Sequence, residues 1–325
     1  MAETPTAGRA TSVEELGEHI TLVMLLAPVL DPDLRQEPDE VWHYTDAAGA
    51  AGIITGHELW ATDALFMNDA SELQLVHRDF SRAIKSDVTE PFLKSSERER
   101  MGAAFEKAIG SFREDPGLFV VCFCENADLL SQWNAYGREG GGYALGFDGE
   151  ALGSYDQAVI GTLDFFRVIY DRNEQIDAVA TFCTRAFHQL ELFLDGCDPG
   201  ERDAAVEMAG DKLALMAQWF SASIKDAAFR EEKEWRFICR NPSATEQPAA
   251  YDREFRPTPR GIIPFVRLPL GKIGADASPD GEFPLKRVRV GPTANVELSS
   301  RAINYMLKDS GFDIQAETSA IPLRA

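Results

Sequence analysis

The chain has 325 residues, 45% hydrophobic and 10% aromatic, a composition that supports a sizeable core and excludes intrinsic disorder. Its formal net charge is −21, from 53 acidic and 32 basic residues. That balance argues against nucleic acid and anionic membrane surfaces as partners, because affinity for either rests on Lys and Arg contacts. A small anionic ligand needs only a local basic pocket.

In chain order, Ser12 is placed to cap a helix over 13–27, with Leu16, Ile20, Val23 and Leu26 at helical spacing. Val41–Thr45 reads as a short strand, and Asp46 caps a short helix through Ile54, with Gly56 at its end. Leu59–Thr62 is a second strand, followed by the loop Phe66-Met67-Asn68-Asp69. Helices follow from near Ser71, burying Leu73, Val76, Phe80 and Ile84, and over 97–112, both expected as cover for a sheet. Leu118–Cys124, rich in Val and Phe, reads as a central strand. Asn126-Ala127-Asp128 opens a short helix carrying Ser131, Trp133 and Tyr136. Gly140-Gly141-Gly142 is then a turn, since no Lys-Ser/Thr follows as in a phosphate loop.

Tyr143–Phe147 and Val159–Tyr170 read as strands, with helices over 172–195 and 201–226. Residues 241–260, with prolines at 242, 248, 257 and 259, read as a loop. Strands at Gly261–Leu268 and Arg287–Val290, a helix over 297–309 and a strand over 312–316 complete the chain. The expected fold is α+β: an N-terminal tail and helix (1–40), one domain over 41–316 with a central mixed or antiparallel sheet, and a tail over 317–325. Helical insertions fall at 70–113 and 171–226.

Cys122, Cys124, Cys183, Cys197 and Cys239 are odd in number and mostly embedded in apolar runs, as expected in a reducing cytosol. Cys122-x-Cys124 lacks the second pair or nearby histidines of a zinc site. His57, His77 and Asp69 follow no ligand spacing, so no metal is expected. Glu3, Glu14, Glu15 and Glu18 are unlike a secretory signal, and the apolar run Ile20–Leu30 contains Pro28 and is too short to span a bilayer. A cytoplasmic protein is expected.

The richest chemistry lies in Lys225–Ile238, KDAAFREEKEWRFI. Glu232, Glu234 and Arg236 recur at spacing two, with Trp235 and Phe237 between them. On a strand, the carboxylates and the guanidinium form one row and the aromatics face the core. Paired carboxylates beside a fixed cation serve proton transfer or stabilise developing positive charge. A solvated row of i, i+2 ion pairs has the same pattern.

Trp42-His43-Tyr44-Thr45, Leu59-Trp60, Asn68-Asp69 and Glu72 open a longer series. Cys122-Phe123-Cys124, Asp128, Ser131, Trp133, Tyr136, Gly142 and Gly146-Phe147 continue it, and Lys225, Glu232, Glu234, Arg236 and Gly291-Pro292 close it. This succession resembles the bacterial domain-of-unknown-function family 2971 from residue 41 to about 312. More loosely, a His-Tyr-Thr strand followed by a helix, with a late Glu-x-Glu strand, is similar to the ADP-ribosyltransferase fold, whose enzymes split NAD at its nicotinamide ribose.

That second resemblance implies an NAD-consuming enzyme, a transferase or an NAD glycohydrolase, with NAD as substrate. His43 would hold a ribose by hydrogen bonds, beside Tyr44 and Thr45 on the nucleotide-binding strand. Tyr136 or Tyr143 would stack on nicotinamide. Glu234 would bind the ribose 2′-hydroxyl and stabilise the oxocarbenium-like transition state, and Glu232 would steer the acceptor. Arg236, with Arg138, would offset the phosphates. The acceptor would be a protein, a small molecule or water, not nucleic acid. The alternative is a non-enzymatic nucleotide-sensing or interaction module of a bacterial stress or phage-defence system, holding the ligand without chemistry. For the enzyme, His43 and Glu234 are expected on neighbouring strands and in one cleft; side chains on opposite faces would remove its basis. For His43 the competing reading is a core histidine satisfied by backbone, and for Trp133 a core aromatic.

Overall fold

The computed structural model describes residues 10–25, 38–67, 70–86, 93–112, 117–136, 141–158, 163–240, 251–258, 261–270, 283–293 and 295–322. Among them the helices are α1 (Val13–Leu25), α2 (Ala47–Gly56), α3 (Ala70–Ile84), α4 (Ser95–Phe112), α5 (Leu130–Tyr136), α6 (Gly149–Ala158), α7 (Arg172–Leu194), α8 (Arg202–Ser221) and α9 (Val296–Asp309). The strands are β1 (Glu40–Thr45), β2 (Leu59–Asp63), β3 (Leu118–Cys124), β4 (Tyr143–Asp148), β5 (Leu163–Arg167), β6 (Glu234–Arg240), β7 (Glu254–Thr258), β8 (Gly261–Leu268), β9 (Leu285–Val290) and β10 (Glu317–Thr318). The chain divides into two units, one drawn from residues 1–34, 67–116 and 169–227, the other from 35–66, 117–168 and 228–325.

The first unit is helical. Ser12 caps α1 as its sequence predicts, its Oγ accepting the Glu15 amide at 3.1 Å, and Leu16 and Ile20 are fully buried. Asp171 caps α7 through the amides of Asn173 and Glu174. The sequence predicts α3 and α4 as cover for a sheet; instead they pack on α7 and α8, joining Phe80, Phe105, Phe182 and Phe220 in one aromatic core. Arg172 grips Asp79 through two 2.7 Å bonds, and Arg202 pairs with Glu97.

The second unit is a ten-stranded mixed sheet in the order β10-β9-β4-β1-β3-β2-β8-β7, with β6 also on β3 and β5 on β6. All its pairings are antiparallel except β9–β10. Strand alternation sends Val41, Ala61, Phe119, Val121, Phe123, Leu145, Trp235 and Phe237 to one face, where α2 and α9 add Ile53, Ile54, Ile303 and Leu307 to the main core. The opposite face carries a smaller cluster of Trp42, Tyr44, Cys124 and Ala144 under Trp133 of α5.

Several boundaries differ from those the sequence predicts. The stretch 241–260 is not all loop: β7 lies within it as an edge strand, the position where Pro257 costs no ladder bond. The last strand falls at Glu317–Thr318 rather than over 312–316. α6 carries no signal that the sequence pattern resolves, and β5 occupies only part of Val159–Tyr170. No helix among the described residues is long and apolar enough to cross a membrane.

Candidate functional site

The centre of the sheet is split. Along one edge of β3, β1 attaches only at Trp42↔Cys124, while β2 attaches at Thr62↔Val120 and Asp63↔Phe119. Between these attachments no strand among the described residues pairs with Val121, Cys122 or Phe123 on that edge. His43 fills the gap, its Nδ1 2.8 Å from the Cys122 carbonyl. A carbonyl only accepts, so Nδ1 carries the proton and the neutral ring presents Nε2 as an acceptor. Nε2 has no hydrogen-bond partner among the described residues. Burial pushes the His43 pKa from 6.5 to about 4, the Cys122 bond opposing and the Arg256 charge adding to the shift, so the ring is neutral at pH 7.

Arg256 comes from β7 on the face opposite the main core, within electrostatic reach of His43. Its Nη2 donates to Thr62 Oγ1 at 2.8 Å, and its guanidinium lies 5.8 Å from the Trp60 ring and 5.6 Å from that of Phe265. Its Nε is buried without a hydrogen-bond partner. Burial lowers its pKa, and the charges of Asp46 and Tyr136 act in the opposite direction. This residue is missed in a sequence reading that takes the proline-marked stretch as loop. The available signal is the alternation of Glu254, Arg256 and Thr258 with Phe255 and Pro257.

Glu234 and Arg236 do share a face, as their spacing predicts, and form a fork: Nε to Oε1 at 3.0 Å and Nη2 to Oε2 at 3.1 Å. They are not a solvated row, for their exposures are 4% and 2%. Glu232 departs from the row. It closes a 3-10 turn, Ala227–Glu232, and Lys233 follows in the left-handed region at φ 42°, so the strand begins only at Glu234. Trp235 and Phe237 face the main core, as expected.

Nor are His43 and Glu234 on neighbouring strands. β1 and β6 flank β3 on opposite sides, and the registers align Trp42, Cys124 and Glu234 in one row. His43 pairs with Leu145 and sets its ring edge-on to Phe123 at 5.8 Å, both main-core residues. One residue out of step, His43 and Glu234 belong to opposite faces.

The remaining candidates separate clearly. Tyr44 is committed to the fold: its hydroxyl donates to the Asn126 carbonyl at 2.7 Å and accepts from the Leu129 amide at 3.0 Å, and its ring lies 4.7 Å from that of Trp133. Thr45 is buried against Gly49, and Tyr143 opposite it packs on the main core. Tyr136, at the end of α5, is 45% exposed and within electrostatic reach of Arg256. Of the two tyrosines, it is the one turned away from the core. Trp133 is a core aromatic whose Nε1 donates to Asp128 at 2.7 Å. Lys225 belongs to the helical unit. Asn68, Asp69 and Arg138 lie outside the described residues. A depression lined by Thr55, His57 and Met306 lies elsewhere, and there the imidazole is bound to the Ser310 carbonyl at 2.9 Å.

A family model described as "Protein of unknown function (DUF2971)" matches residues 132–237, from α5 to β6. Within that stretch lie Trp133, Tyr136, Gly142, Glu232, Glu234 and Arg236; the strand bearing His43 and the Gly291-Pro292 turn lie beyond it. No curated protein and no solved structure matches the chain. The chain is similar over about a third of its length to a family that names no activity, so chemistry has to be argued from the site.

Proposed function

We propose that the split between β1 and β2 binds a nucleotide, with NAD the first candidate, and that the protein acts as a nucleotide-sensing module. The observation that carries this reading is His43, lodged in the split with Nδ1 on the Cys122 carbonyl and Nε2 offered as an acceptor. An acceptor matches a ribose hydroxyl better than a phosphate oxygen, which itself only accepts. Tyr136 supplies an exposed aromatic for a base or nicotinamide ring. Holding without cleavage is favoured because the Glu234 carboxylate is already forked by Arg236.

Calorimetric titration with NAD tests it. NAD is expected to bind, and His43→Ala to weaken binding by about tenfold, the worth of one hydrogen bond in a partly buried site. The absence of binding at millimolar NAD, ADP-ribose and ATP would sink the reading. A second reading, an ADP-ribosyltransferase-like enzyme cleaving NAD and passing ADP-ribose to a protein, a small molecule or water, needs His43 and Glu234 in one cleft, and their opposite faces withdraw that basis. Nicotinamide release from NAD, abolished by His43→Ala, would restore it.

A further inference from the structure

We infer that Arg256 is the anion-binding residue of the split and that it takes the phosphate or pyrophosphate group of a nucleotide. The inference rests on the nucleotide reading of His43 only for the organic part of the ligand; the anion is argued from Arg256 itself.

Two arginines share one aromatic platform and differ in their partners. Trp60 and Phe265 pack at 5.0 Å, and both Arg256 and Arg267 lie over them. Arg267 is fully matched, with Glu58 at 2.6 Å and Glu254 at 2.7 Å. Arg256 has no carboxylate within ion-pair distance among the described residues, and its one hydrogen bond goes to a neutral hydroxyl. Stacking on the rings explains where its plane lies, but not why Nε is buried and unbonded. A desolvated cation without a counter-charge is costly, and a charge-assisted bond to an anion removes that cost. In a chain of net charge −21, a carboxylate partner was abundantly on offer.

The surroundings suit an anion attached to a sugar. Thr62 fixes one amino group of the fork, while Nε and Nη1 have no hydrogen-bond partner among the described residues. Asp46 and Tyr136 are near enough to influence the guanidinium, and Arg256 in turn influences His43. Arg256 therefore supplies the donor for phosphate oxygens on the face that carries Thr62 and Glu234, and a ligand that also meets His43 Nε2 has to reach through the gap between β1 and β2. Arg240, also without an ion pair among the described residues, differs: none of its nitrogens is both buried and unbonded there, and Asp164 on β5 is a charge acting on it.

The test is calorimetry on the full chain with inorganic pyrophosphate, ADP, NAD and uncharged adenosine, for wild type, Arg256→Gln and Thr62→Val. Arg256→Gln is expected to weaken pyrophosphate, ADP and NAD by about tenfold or more, with a flatter salt dependence, and to leave adenosine and the melting temperature unchanged. Thr62→Val, which frees the guanidinium from its orienting hydroxyl, is expected to weaken ADP severalfold. Pyrophosphate binding that needs Arg256, with ADP and NAD no tighter, would uphold the anion site and remove the nucleotide reading. Nucleotides that need His43 but bind Arg256→Gln as they bind wild type would overturn the inference and leave that reading standing. A large drop in melting temperature for both Arg256→Gln and Thr62→Val, with no anion bound by wild type, would make Arg256 a structural residue and overturn it too.

Discussion

Glu234→Gln is the most informative single change, because burial reverses what the spacing alone suggests. On an exposed strand face the substitution would cost under about 1 kcal/mol. Here it removes the carboxylate that Arg236 is forked to, at 2% exposure, and puts a neutral amide in its place. Breaking a buried ion pair from one side costs about 3–5 kcal/mol, most of it the penalty of the orphaned charge. In a unit of this size each kcal/mol moves the melting temperature by about 2–4 °C, so a fall of about 6–20 °C is expected. Urea titrations of wild type, Glu234→Gln, Arg236→Met and the double variant Glu234→Leu/Arg236→Met supply the free energies. The double variant should be close to wild type, since a well-packed apolar pair replaces a buried ionic one at little loss. A loss below about 1 kcal/mol for Glu234→Gln, with unchanged urea dependence, would show that the pair is solvated and the reasoning wrong.

Three further outcomes follow from the same geometry. His43 has its folded pKa pulled from 6.5 to about 4, so its neutral burial supports the fold above pH 6.5; that support, about 3 kcal/mol at most, is lost as the pH falls to 4. Denaturation at pH 7 and pH 4 should therefore show a larger acid loss for wild type than for His43→Asn, and equal losses would refute the assignment. Trp235→Ala removes a side chain 1% exposed whose Nε1 donates to Glu125 at 3.1 Å, and should cost about 3–5 kcal/mol by urea titration. Tyr44→Phe should cost about 1–3 kcal/mol in melting experiments, since it strands the Asn126 carbonyl and the Leu129 amide, and should leave nucleotide titrations unchanged.

What the sequence makes legible here is local. Ser12 and Asp46 announce their caps, and Leu118–Cys124 announces a central strand; each is a signal carried by adjacent residues. The alternation of Glu234, Trp235, Arg236 and Phe237 likewise assigns both faces of β6 correctly. Registers between distant segments carry no such signal. Nothing within Trp42-His43-Tyr44 tells that Trp42, not His43, shares a row with Glu234, because a shift of one residue exchanges the faces and only the pairing with Cys124 decides it. Tyr44 shows the same limit: its aromatic and hydroxyl character fits a ligand site as well as it fits the bonds that it makes to Asn126 and Leu129. Arg256 is hidden for a different reason, since Pro257 in the window argues against a strand that an edge position tolerates.

The acidity of the chain, read locally, sharpens the case for a small ligand over nucleic acid. Arg236, Arg267, Arg287 and Arg289 project from the sheet face that carries Trp42, and each is met by carboxylates: Glu234, then Glu58 and Glu254, then Glu40 and Glu317, then Glu317 again. A face rich in arginine is thus close to neutral, and it offers a polyphosphate backbone little of the continuous positive potential on which nucleic-acid affinity rests. Against that neutral ground Arg256, unpaired among the described residues, carries more information than the row of matched ones. On the proposed reading it would take one compact anionic group, a requirement that a nucleotide meets and that a polyphosphate strand exceeds.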